Sequence, residues 1–449
     1  MTNSLPSLRE ARHIIGLALP LSLVQLAQVA ISTTDIVMLG WLGGEALAGG
    51  ALGFFAFNLL RTMGFGLIVG TSNLVAADQR EGVASAHLLA ALIVASGAAM
   101  LAAGCFVLGG GMLGRLGQDP TVATIAAHYL ILVAPGIFPL FWFYAYRGVV
   151  VGRRKTNSLL VITLATIVIN AVFDYGFIYG AFGLPRLGAA GVAASSSIAY
   201  LAQFGAIVWV THASFRFERL VARADIWHSV RRLLAIGIPT AGSYGSEAGF
   251  TAVITLMVGT FGAAALAGHA VVNQITYVVF MLSIGLSHAT SIGVSEGVGR
   301  GNAAAALRAG RTGLVVVAAI MAVFAALYLL FPHSLLAAFG LGLGDTAAVT
   351  AVALTLLPLA AAMQIFDGLQ NVAIGALRGV QRAGIGFWVT MVGYWVVGVP
   401  VAWLLGLQFH LGPAGIWIGL ALGLVVTALG MVVTFERSAM ALPSSAAAA

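Results

Sequence analysis

The sequence predicts an all-α integral membrane protein with twelve transmembrane helices in two six-helix lobes. Hydrophobic residues make up 60% of the 449-residue chain and charged residues only 8%, whereas soluble domains carry about 25% charged residues. Apolar runs as long as the roughly 20 residues that span a bilayer recur along the whole chain, and the second half of the sequence repeats the first. A transmembrane barrel would need many segments of about ten residues with alternating polarity, and the sequence has none.

The individual helices are predicted from the apolar runs between polar breaks. The first run continues past any convincing cleavage site, so we interpret it as a retained transmembrane helix and not as a removed signal. Cys105 is the single cysteine, so no disulfide forms within one chain. We expect its small side chain to be buried or to face lipid. The twelve predicted helices cover 13–40, 46–75, 86–112, 122–150, 157–180, 188–212, 231–259, 264–296, 309–333, 347–376, 383–406 and 412–435.

The basic residues predict how the helices are oriented. With a cytoplasmic N-terminus, 18 of the 21 Lys and Arg residues fall on the cytoplasmic side, and only Arg61, Arg115 and Arg186 do not. This asymmetry follows the positive-inside rule. We therefore expect both termini in the cytoplasm, and the formal net charge of +7 needs no nucleic-acid partner to explain it.

The chain also contains an internal repeat. A shift of 219 residues superposes Pro20 on Pro239 and Gly40 on Gly259. We therefore predict an N-lobe at 1–212, a cytoplasmic connecting loop at 213–230, and a C-lobe with a short tail at 231–449. Because each half has an even number of helices, both enter the membrane from the same side, and a pseudo-two-fold axis along the membrane normal relates them. Repeats of this kind are typical of transporters with substrate between two halves, whereas a channel or a receptor does not need them.

Four carboxylates lie inside these apolar runs: Asp35, Asp174, Glu247 and Asp367. An Asp at the centre of a membrane helix costs about 2.5–3.5 kcal/mol on insertion scales, so such residues mark an ion or substrate pathway by default. A buried Asp or Glu can exchange a proton for Na⁺ or for an organic cation. The 219-residue shift pairs none of the four acids with another acid, so we expect the two lobes to do different work.

In the first half, Asn170 precedes Asp174 by four residues, which places both side chains on one helical face. Their oxygens suit a proton or Na⁺, and a serine from 195–197 would complete the site. Two structural alternatives are open. Asp35 lies near a helix end, and in the first alternative its side chain reaches the membrane–water interface. In the second, Asn170 and Asp174 make a structural hydrogen bond that holds helices together.

In the second half, Glu247 lies near the middle of its helix among small residues, and Gln364, Asp367 and Asn371 form one polar stripe at i, i+3 and i+7. Such a stripe faces protein or water and not lipid. The alternatives are a neutral, hydrogen-bonded Glu247 and a polar seam between helices. Arg61 either pairs with one of the four acids or lies near a water-filled cavity.

Several chemistries are absent from the sequence. The run 152–156 lacks the glycine that a phosphate loop places before its lysine, so ATP hydrolysis is not expected. No HExxH or GxSxG motif and no His or Cys cluster with metal-ligand spacing occurs. We therefore expect neither an enzyme nor a cofactor. His269 and His410 are expected to be solvated residues near outer loops.

Four motifs carry a resemblance to a known family: Thr34–Gly40 in the first helix, Gly180–Gly188 after the fifth, Ala267–Val271 opening the eighth and Gly375–Gly379 closing the tenth. Together they resemble the multidrug and toxic compound extrusion (MATE) family, and its NorM-like branch in particular. The resemblance implies an antiporter in the inner membrane of a bacterium. Such a protein exports amphipathic, mostly cationic compounds in exchange for H⁺ or Na⁺, by alternating access between two lobes. We expect a monomer.

The resemblance also implies roles for individual residues. Met363 departs from the family, which has an aromatic residue four positions before the acid of the tenth helix. A Na⁺ ion would bind Asp35, Asn170 and Asp174. Substrate binding is predicted for the three acids that carry over, Asp35, Glu247 and Asp367, and for Gln364 and Asn371 of the polar stripe. Cation coupling carries over to Asp35, Asn170, Asp174, Ser196, Glu247 and Asp367.

Two other functions stay open at this point. One is a lipid-linked precursor flippase of the wider superfamily, which needs basic residues in its central cavity, where this chain offers mainly acids. The other is a passive channel.

Overall fold

A computed structural model describes residues 5–78, 83–112, 120–214, 222–339 and 347–442 of the chain. Within these ranges every regular element is helical, and ten helices are long and apolar enough to cross a membrane. A bent pair of shorter helices makes an eleventh span. The all-α membrane class predicted from composition is therefore confirmed. Arg115, the middle of the connecting loop and the C-terminal tail lie outside the described residues.

The helices follow the predicted runs closely. The first eight are α1 (Leu8–Trp41), α2 (Gly44–Ile68), α3 (Gly70–Ala77), α4 (Val83–Met112), α5 (Pro120–Val133), α6 (Ile137–Gly152), α7 (Asn157–Tyr179) and α8 (Ala189–Ser214). The second eight are α9 (Arg223–Gly259), α10 (Ala263–Gly299), α11 (Ala303–Leu330), α12 (Pro332–Ala337), α13 (Ala347–Gly379), α14 (Ala383–Met391), α15 (Val399–Trp403) and α16 (Gly412–Met440).

Two predicted helices are interrupted. The fourth, predicted at 122–150, is the pair α5 and α6, which bends by 50° between its halves. At this bend a side chain on Gly136 would place its Cβ 2.5 Å from Ser197 Oγ, so the glycine permits the close approach of α8. Ser197 also donates a hydrogen bond to the carbonyl of Leu132, just before the break, at 2.8 Å. The eleventh predicted helix contains two π-helical turns, Val392–Gly398 and Leu404–Gln408.

Helix α9 bears on both the helix count and the connecting loop. It contains the predicted seventh helix, 231–259, but it is not among the ten apolar spans of the described chain. That α9 crosses the membrane, and with it the count of twelve spans, therefore stays a prediction. The predicted loop at 213–230 is too long, because α9 already begins at Arg223. The polar and basic residues from Arg223 to Arg232 extend the helix by about two turns instead of forming a loop.

The chain divides into two compact units. The first consists of Met1–Ser22 with Gly242–Ala449, and the second of Leu23–Ala241. The first unit is built on α10, α11, α13 and α16, and the second on the pairs α7–α8, α2–α5 and α4–α6. The predicted lobes at 1–212 and 231–449 stay a prediction. The units differ from these lobes because the first part of α1 and the first part of α9 each pack with the other half of the sequence.

Small residues bring the polar helices of the first unit together. A Cβ on Gly375 of α13 would lie 2.5 Å from the Ser287 carbonyl oxygen of α10, and one on Gly379 would lie 2.8 Å from the Ser291 carbonyl oxygen. Close approach through small residues is typical of membrane helices, where van der Waals packing and interhelical hydrogen bonds drive association. The small residues thus hold the polar stripe of α13 against α10.

Candidate functional site

Three of the predicted site residues meet inside the second unit. Asp35 comes from α1, and Asn170 and Asp174 come from α7, one helical turn apart. Their relative exposures are 3%, 1% and 0%. The Asp35 side chain lies beside both Asp174 and Asn170. The four-residue spacing in the sequence therefore places an amide and two carboxyl groups in one buried cluster, which we call the α1–α7 cluster.

Most polar atoms of the α1–α7 cluster have no protein partner. Asp35 Oδ1, Asp174 Oδ2 and both amide atoms of Asn170 are buried and make no hydrogen bond to the described residues. An unsatisfied buried polar atom costs about 1–3 kcal/mol, and more when it is charged. Two adjacent carboxylates in a low-dielectric interior also repel each other strongly. A proton or a small cation between them relieves the repulsion and offers a partner to the three oxygen atoms.

Ser195 of α8 completes the α1–α7 cluster. It donates a hydrogen bond to Asp174 Oδ1, and its Oγ also lies 2.8 Å from the carbonyl oxygen of Val192. A hydroxyl has a single hydrogen and cannot donate to both acceptors. When Ser195 donates to Val192, a protonated Asp174 donates to Ser195 in turn. The arrangement thus accepts either a carboxylate or a carboxylic acid at position 174.

The serine that carries over from the family resemblance, Ser196, has a different neighbour. It lies beside Tyr200 within the same helix. The sequence offers three consecutive serines, and only the rotation of α8 against α7 brings Ser195 to Asp174. No signal in the sequence fixes that rotation. A coupling role for Ser196 stays a prediction.

Arg61 makes a local contact that the sequence analysis did not name. Its Nε and Nη2 donate to Asn58 Oδ1 at 3.1 and 2.5 Å, across one turn of α2. Asn58 and Arg61 are three residues apart on one helix, so this contact could have been predicted from the sequence. Arg61 also lies within electrostatic range of Tyr129 and Tyr200, and these tyrosines are within range of Asp35. Pairing of Arg61 with one of the four acids stays a prediction.

The two acids of the second half lie near each other in the first unit. Asp367 on α13 is 9% exposed, whereas Glu247 on α9 is partly exposed. The two carboxyl groups lie within electrostatic range of each other, and both are within range of Tyr394. We call these three residues the α9–α13 cluster. Glu247 is therefore the less enclosed of the two acids.

Tyr394 was missed by the sequence analysis. It lies in the first π-helical turn after α14, accepts a hydrogen bond from Gln370 Nε2, and stacks on Phe250 with ring centroids 4.6 Å apart. The family's aromatic position is the buried Met363 in this chain, and the structure instead brings an aromatic ring to the acids from a helix that follows in the sequence. π-Helical turns are frequent at functional sites, but the sequence does not reveal them.

The amides of the α13 stripe bond to neighbouring helices. Gln364 Oε1 accepts from the Tyr328 hydroxyl at 3.5 Å, and its Nε2 lies 3.6 Å from Met321 Sδ on α11. Asn371 Nδ2 donates to Ser283 Oγ of α10 at 3.0 Å. These contacts match the interpretation of the stripe as a polar seam between helices. A substrate-binding role for Gln364 and Asn371 stays a prediction.

The donor chemistry limits which metal the protein could hold. No group of three or more His, Cys, Asp or Glu residues with suitable geometry occurs in the described ranges. The α1–α7 cluster offers only oxygen atoms of Asp35, Asn170 and Asp174 as ligands, together with the Ser195 hydroxyl. Oxygen ligands suit hard cations, so this set fits Na⁺ and does not fit a transition metal that prefers nitrogen or sulfur.

His269 corrects a prediction from the sequence. It was expected to be solvated, but it is only 2% exposed. Trp417 Nε1 donates to His269 Nδ1 at 3.1 Å, and Thr255 Oγ1 lies 3.1 Å from Nε2. The side chain is buried because α9 and α16 cover it, which local hydropathy does not reveal. His410 and Cys105 are exposed, as expected for a residue near a loop and for a lipid-facing side chain.

These observations define a polytopic α-helical membrane protein that buries ionisable side chains within each of two compact units. The chain belongs to the MatE family, whose model matches residues 20–176 and 239–404. The family resemblance stated from the motifs is therefore confirmed.

Individual relatives extend this match over nearly the whole chain. The chain is 36% identical to a protein named probable multidrug resistance protein NorM from Pseudomonas aeruginosa, over 99% of this chain and 93% of the relative. It is 33% identical to a multidrug resistance protein NorM from Burkholderia vietnamiensis, over 96% and 95% of the two chains. The fold is similar to that of a crystallised eukaryotic MATE transporter, with a TM-score of 0.84, 20% identity, and 96% and 98% coverage.

Proposed function

We propose that the protein is a secondary active multidrug efflux transporter, which exports amphipathic and mostly cationic compounds in exchange for H⁺ or Na⁺. The observation that carries this proposal is the α1–α7 cluster, in which two adjacent buried acids and Asn170 leave three oxygen atoms without a protein hydrogen-bond partner. A site of this kind is completed by a small cation. The multidrug resistance names of the NorM relatives support efflux as the process that uses it.

The two clusters have different tasks in this proposal. Asp35, Asn170 and Asp174 bind the coupling cation, because their oxygens are fully enclosed. Glu247 and Asp367 attract the organic cation, because Glu247 is partly exposed and the two carboxyl groups lie within electrostatic range of each other. Alternating access between the two predicted lobes would connect the two binding events. We place the transporter in a bacterial inner membrane, as a monomer with both termini in the cytoplasm.

The test uses the full-length transporter in proteoliposomes with a fluorescent organic cation. Its movement is followed under an imposed pH gradient, an imposed Na⁺ gradient, or neither. We expect one of the two gradients to drive accumulation in the wild type, and Asp35→Asn and Asp174→Asn each to remove most of that response. Asp225→Asn is the matched control, because Asp225 is an exposed carboxylate at the start of α9.

Each contrary outcome points to a different function. Full gradient-driven accumulation by both variants would remove the α1–α7 cluster from coupling. Equilibration of the cation without accumulation under either gradient would indicate a passive channel. Movement of a fluorescent lipid-linked pyrophosphate, with no movement of the cation, would indicate a flippase.

A further inference from the structure

Arg378 is a fully buried cation near the end of α13. Its relative exposure is 0%, and it makes no ion pair with a carboxylate among the residues that the structure describes. An arginine keeps its charge in a protein, and burying a charge without a counter-ion is costly. The position of Arg378 therefore needs a reason, and the proposed transport function does not supply one.

The two ends of the Arg378 guanidinium bind hydroxyl groups on two other helices. Nη1 donates to the Tyr244 hydroxyl of α9 at 2.8 Å, and Nη2 donates to Ser287 Oγ of α10 at 3.2 Å. All three residues belong to the first compact unit. The rigid fork of a guanidinium holds two acceptors at a fixed spacing. Arg378 thus ties α13 to α9 and to α10 at the same time.

The contact with Tyr244 lies one helical turn before Glu247 on α9. A second contact lies one turn after Glu247. There Phe250 stacks on Tyr394 with ring centroids 4.6 Å apart, and Gln370 of α13 donates to the Tyr394 hydroxyl. Residues three apart share one face of a helix. The segment of α9 around Glu247 is therefore held on both sides by polar residues of α13, the helix that carries the other acid of the α9–α13 cluster.

Helix α9 needs support here because its own hydrogen bonding is interrupted. Pro239 lies inside the helix, five residues before Tyr244, and such a proline removes a backbone hydrogen bond. The first half shows the same arrangement. Pro20 lies inside α1, five residues before Gln25, and the shift of 219 residues pairs Gln25 with Tyr244. Gln25 accepts a hydrogen bond from the buried Arg147 of α6 at 3.4 Å. A buried arginine thus holds the first helix of each half at repeat-related positions.

We propose that Arg378 is a positioning residue, which anchors α9 through Tyr244 and so sets the position of the Glu247 carboxyl group relative to Asp367. Its hydrogen bonds reach neither acid, so it acts through the backbone of α9. The consequence for substrate binding rests on the proposed function, whereas the anchoring of α9 does not.

Tyr244→Phe tests the anchor, because it removes the acceptor on α9 and keeps the ring. Ser287→Ala is the matched control, because it removes the other acceptor of the same guanidinium and leaves the contact with α9. Hydrogen–deuterium exchange of the full-length transporter in detergent, read by mass spectrometry, measures the opening of segment 244–251. In Tyr244→Phe this exchange should rise about tenfold or more, since a hydrogen bond to a charged group is lost. In Ser287→Ala it should change by less than about twofold.

The KM of a fluorescent organic cation in proteoliposomes is the second readout. Tyr244→Phe should raise KM severalfold and leave the maximal rate nearly unchanged, because the anchor acts on the acid that attracts the cation. Ser287→Ala should keep the wild-type KM. Equal exchange or equal KM in the two variants would overturn the proposal, because both would then report only the loss of one partner of a buried arginine. If the wild type moves no cation, the proposed function fails, and the exchange measurement by itself decides whether Arg378 anchors α9.

Discussion

Arg311 of α11 and Glu436 of α16 form a bidentate ion pair. Arg311 Nε lies 2.8 Å from Glu436 Oε1, and Nη2 lies 2.6 Å from Oε2. The two side chains are 29% and 23% exposed. Parallel hydrogen bonds between a guanidinium and a carboxylate add geometric specificity to the attraction of the charges. The pair therefore favours one rotation of α16 relative to α11, although its members are 125 residues apart in the sequence.

Glu436→Gln should destabilise the protein by about 1 kcal/mol, the upper end of the range for partly exposed pairs. The charged hydrogen bonds are lost while the shape is kept. Thermal unfolding in detergent measures the change. In a double-mutant cycle, Arg311→Gln added to Glu436→Gln should cause little further loss, because the same contact is already gone. Fully additive losses would show that the pair contributes nothing as a unit.

Ser195→Ala should change the affinity for the coupling cation about tenfold or more, since a hydrogen bond to a charged group contributes about 1.5–3 kcal/mol. If H⁺ couples, its binding becomes tighter, because the carboxylate loses a donor that favours its charged form. If Na⁺ couples, its binding becomes weaker, because the site loses an oxygen ligand. Ser195 is the hydroxyl that donates to Asp174. The concentration of H⁺ or Na⁺ that gives half-maximal efflux in proteoliposomes measures the effect. Ser196→Ala is the control from the next position in the same helix and should change this concentration by less than about twofold. The opposite ranking would assign the coupling role to Ser196.

Asp35→Asn and Asp174→Asn should not have additive effects on gradient-driven export. The two acids are neighbours, and residues that act as a unit lose most of their function with the first substitution. We expect the double variant to export no more slowly than the slower single variant. Initial rates under the driving gradient, compared with rates without a gradient, measure this. Independent, multiplicative losses would mean that each acid binds a separate cation.

Tyr394→Ala should raise the KM for an organic cation more than Tyr394→Phe does. Phenylalanine keeps the fully buried ring and its stack on Phe250. It loses only the hydroxyl that accepts from Gln370. Alanine leaves a cavity within electrostatic range of Glu247 and Asp367, so we expect a severalfold rise in KM for the alanine variant alone. The KM of a fluorescent cation in proteoliposomes measures the difference. Equal KM values for the two variants would remove the ring from substrate binding.

Trp417→Phe should lower the stability of the protein by about 1–3 kcal/mol, because it leaves the buried His269 Nδ1 without a donor. Thermal unfolding in detergent measures this loss. Trp388→Phe is the control, since Trp388 is 68% exposed and should unfold close to the wild-type temperature. A wild-type unfolding temperature for Trp417→Phe would show that the hydrogen bond does not stabilise the fold.

Much of the fold could be predicted from the sequence, because hydropathy acts locally. The helix over 157–179 was predicted to within one residue, since a polar loop and a glycine bound its apolar run. The bend at Gly136 was not predicted, because it depends on the approach of Ser197 from another helix. The early start of α9 was missed for a different reason. A charged stretch can extend a helix into the aqueous phase as readily as it can form a loop.

The sequence alone determined that this chain crosses a membrane, belongs to its family and carries four acids in apolar helices. Each of these facts depends on the order and polarity of neighbouring residues. Only the tertiary structure decided which side chains those acids meet. The choice of Ser195, the position of Tyr394 and the burial of His269 all depend on how helices rotate and approach one another. Packing between residues far apart in the sequence sets those rotations, and they cannot be predicted from local hydropathy.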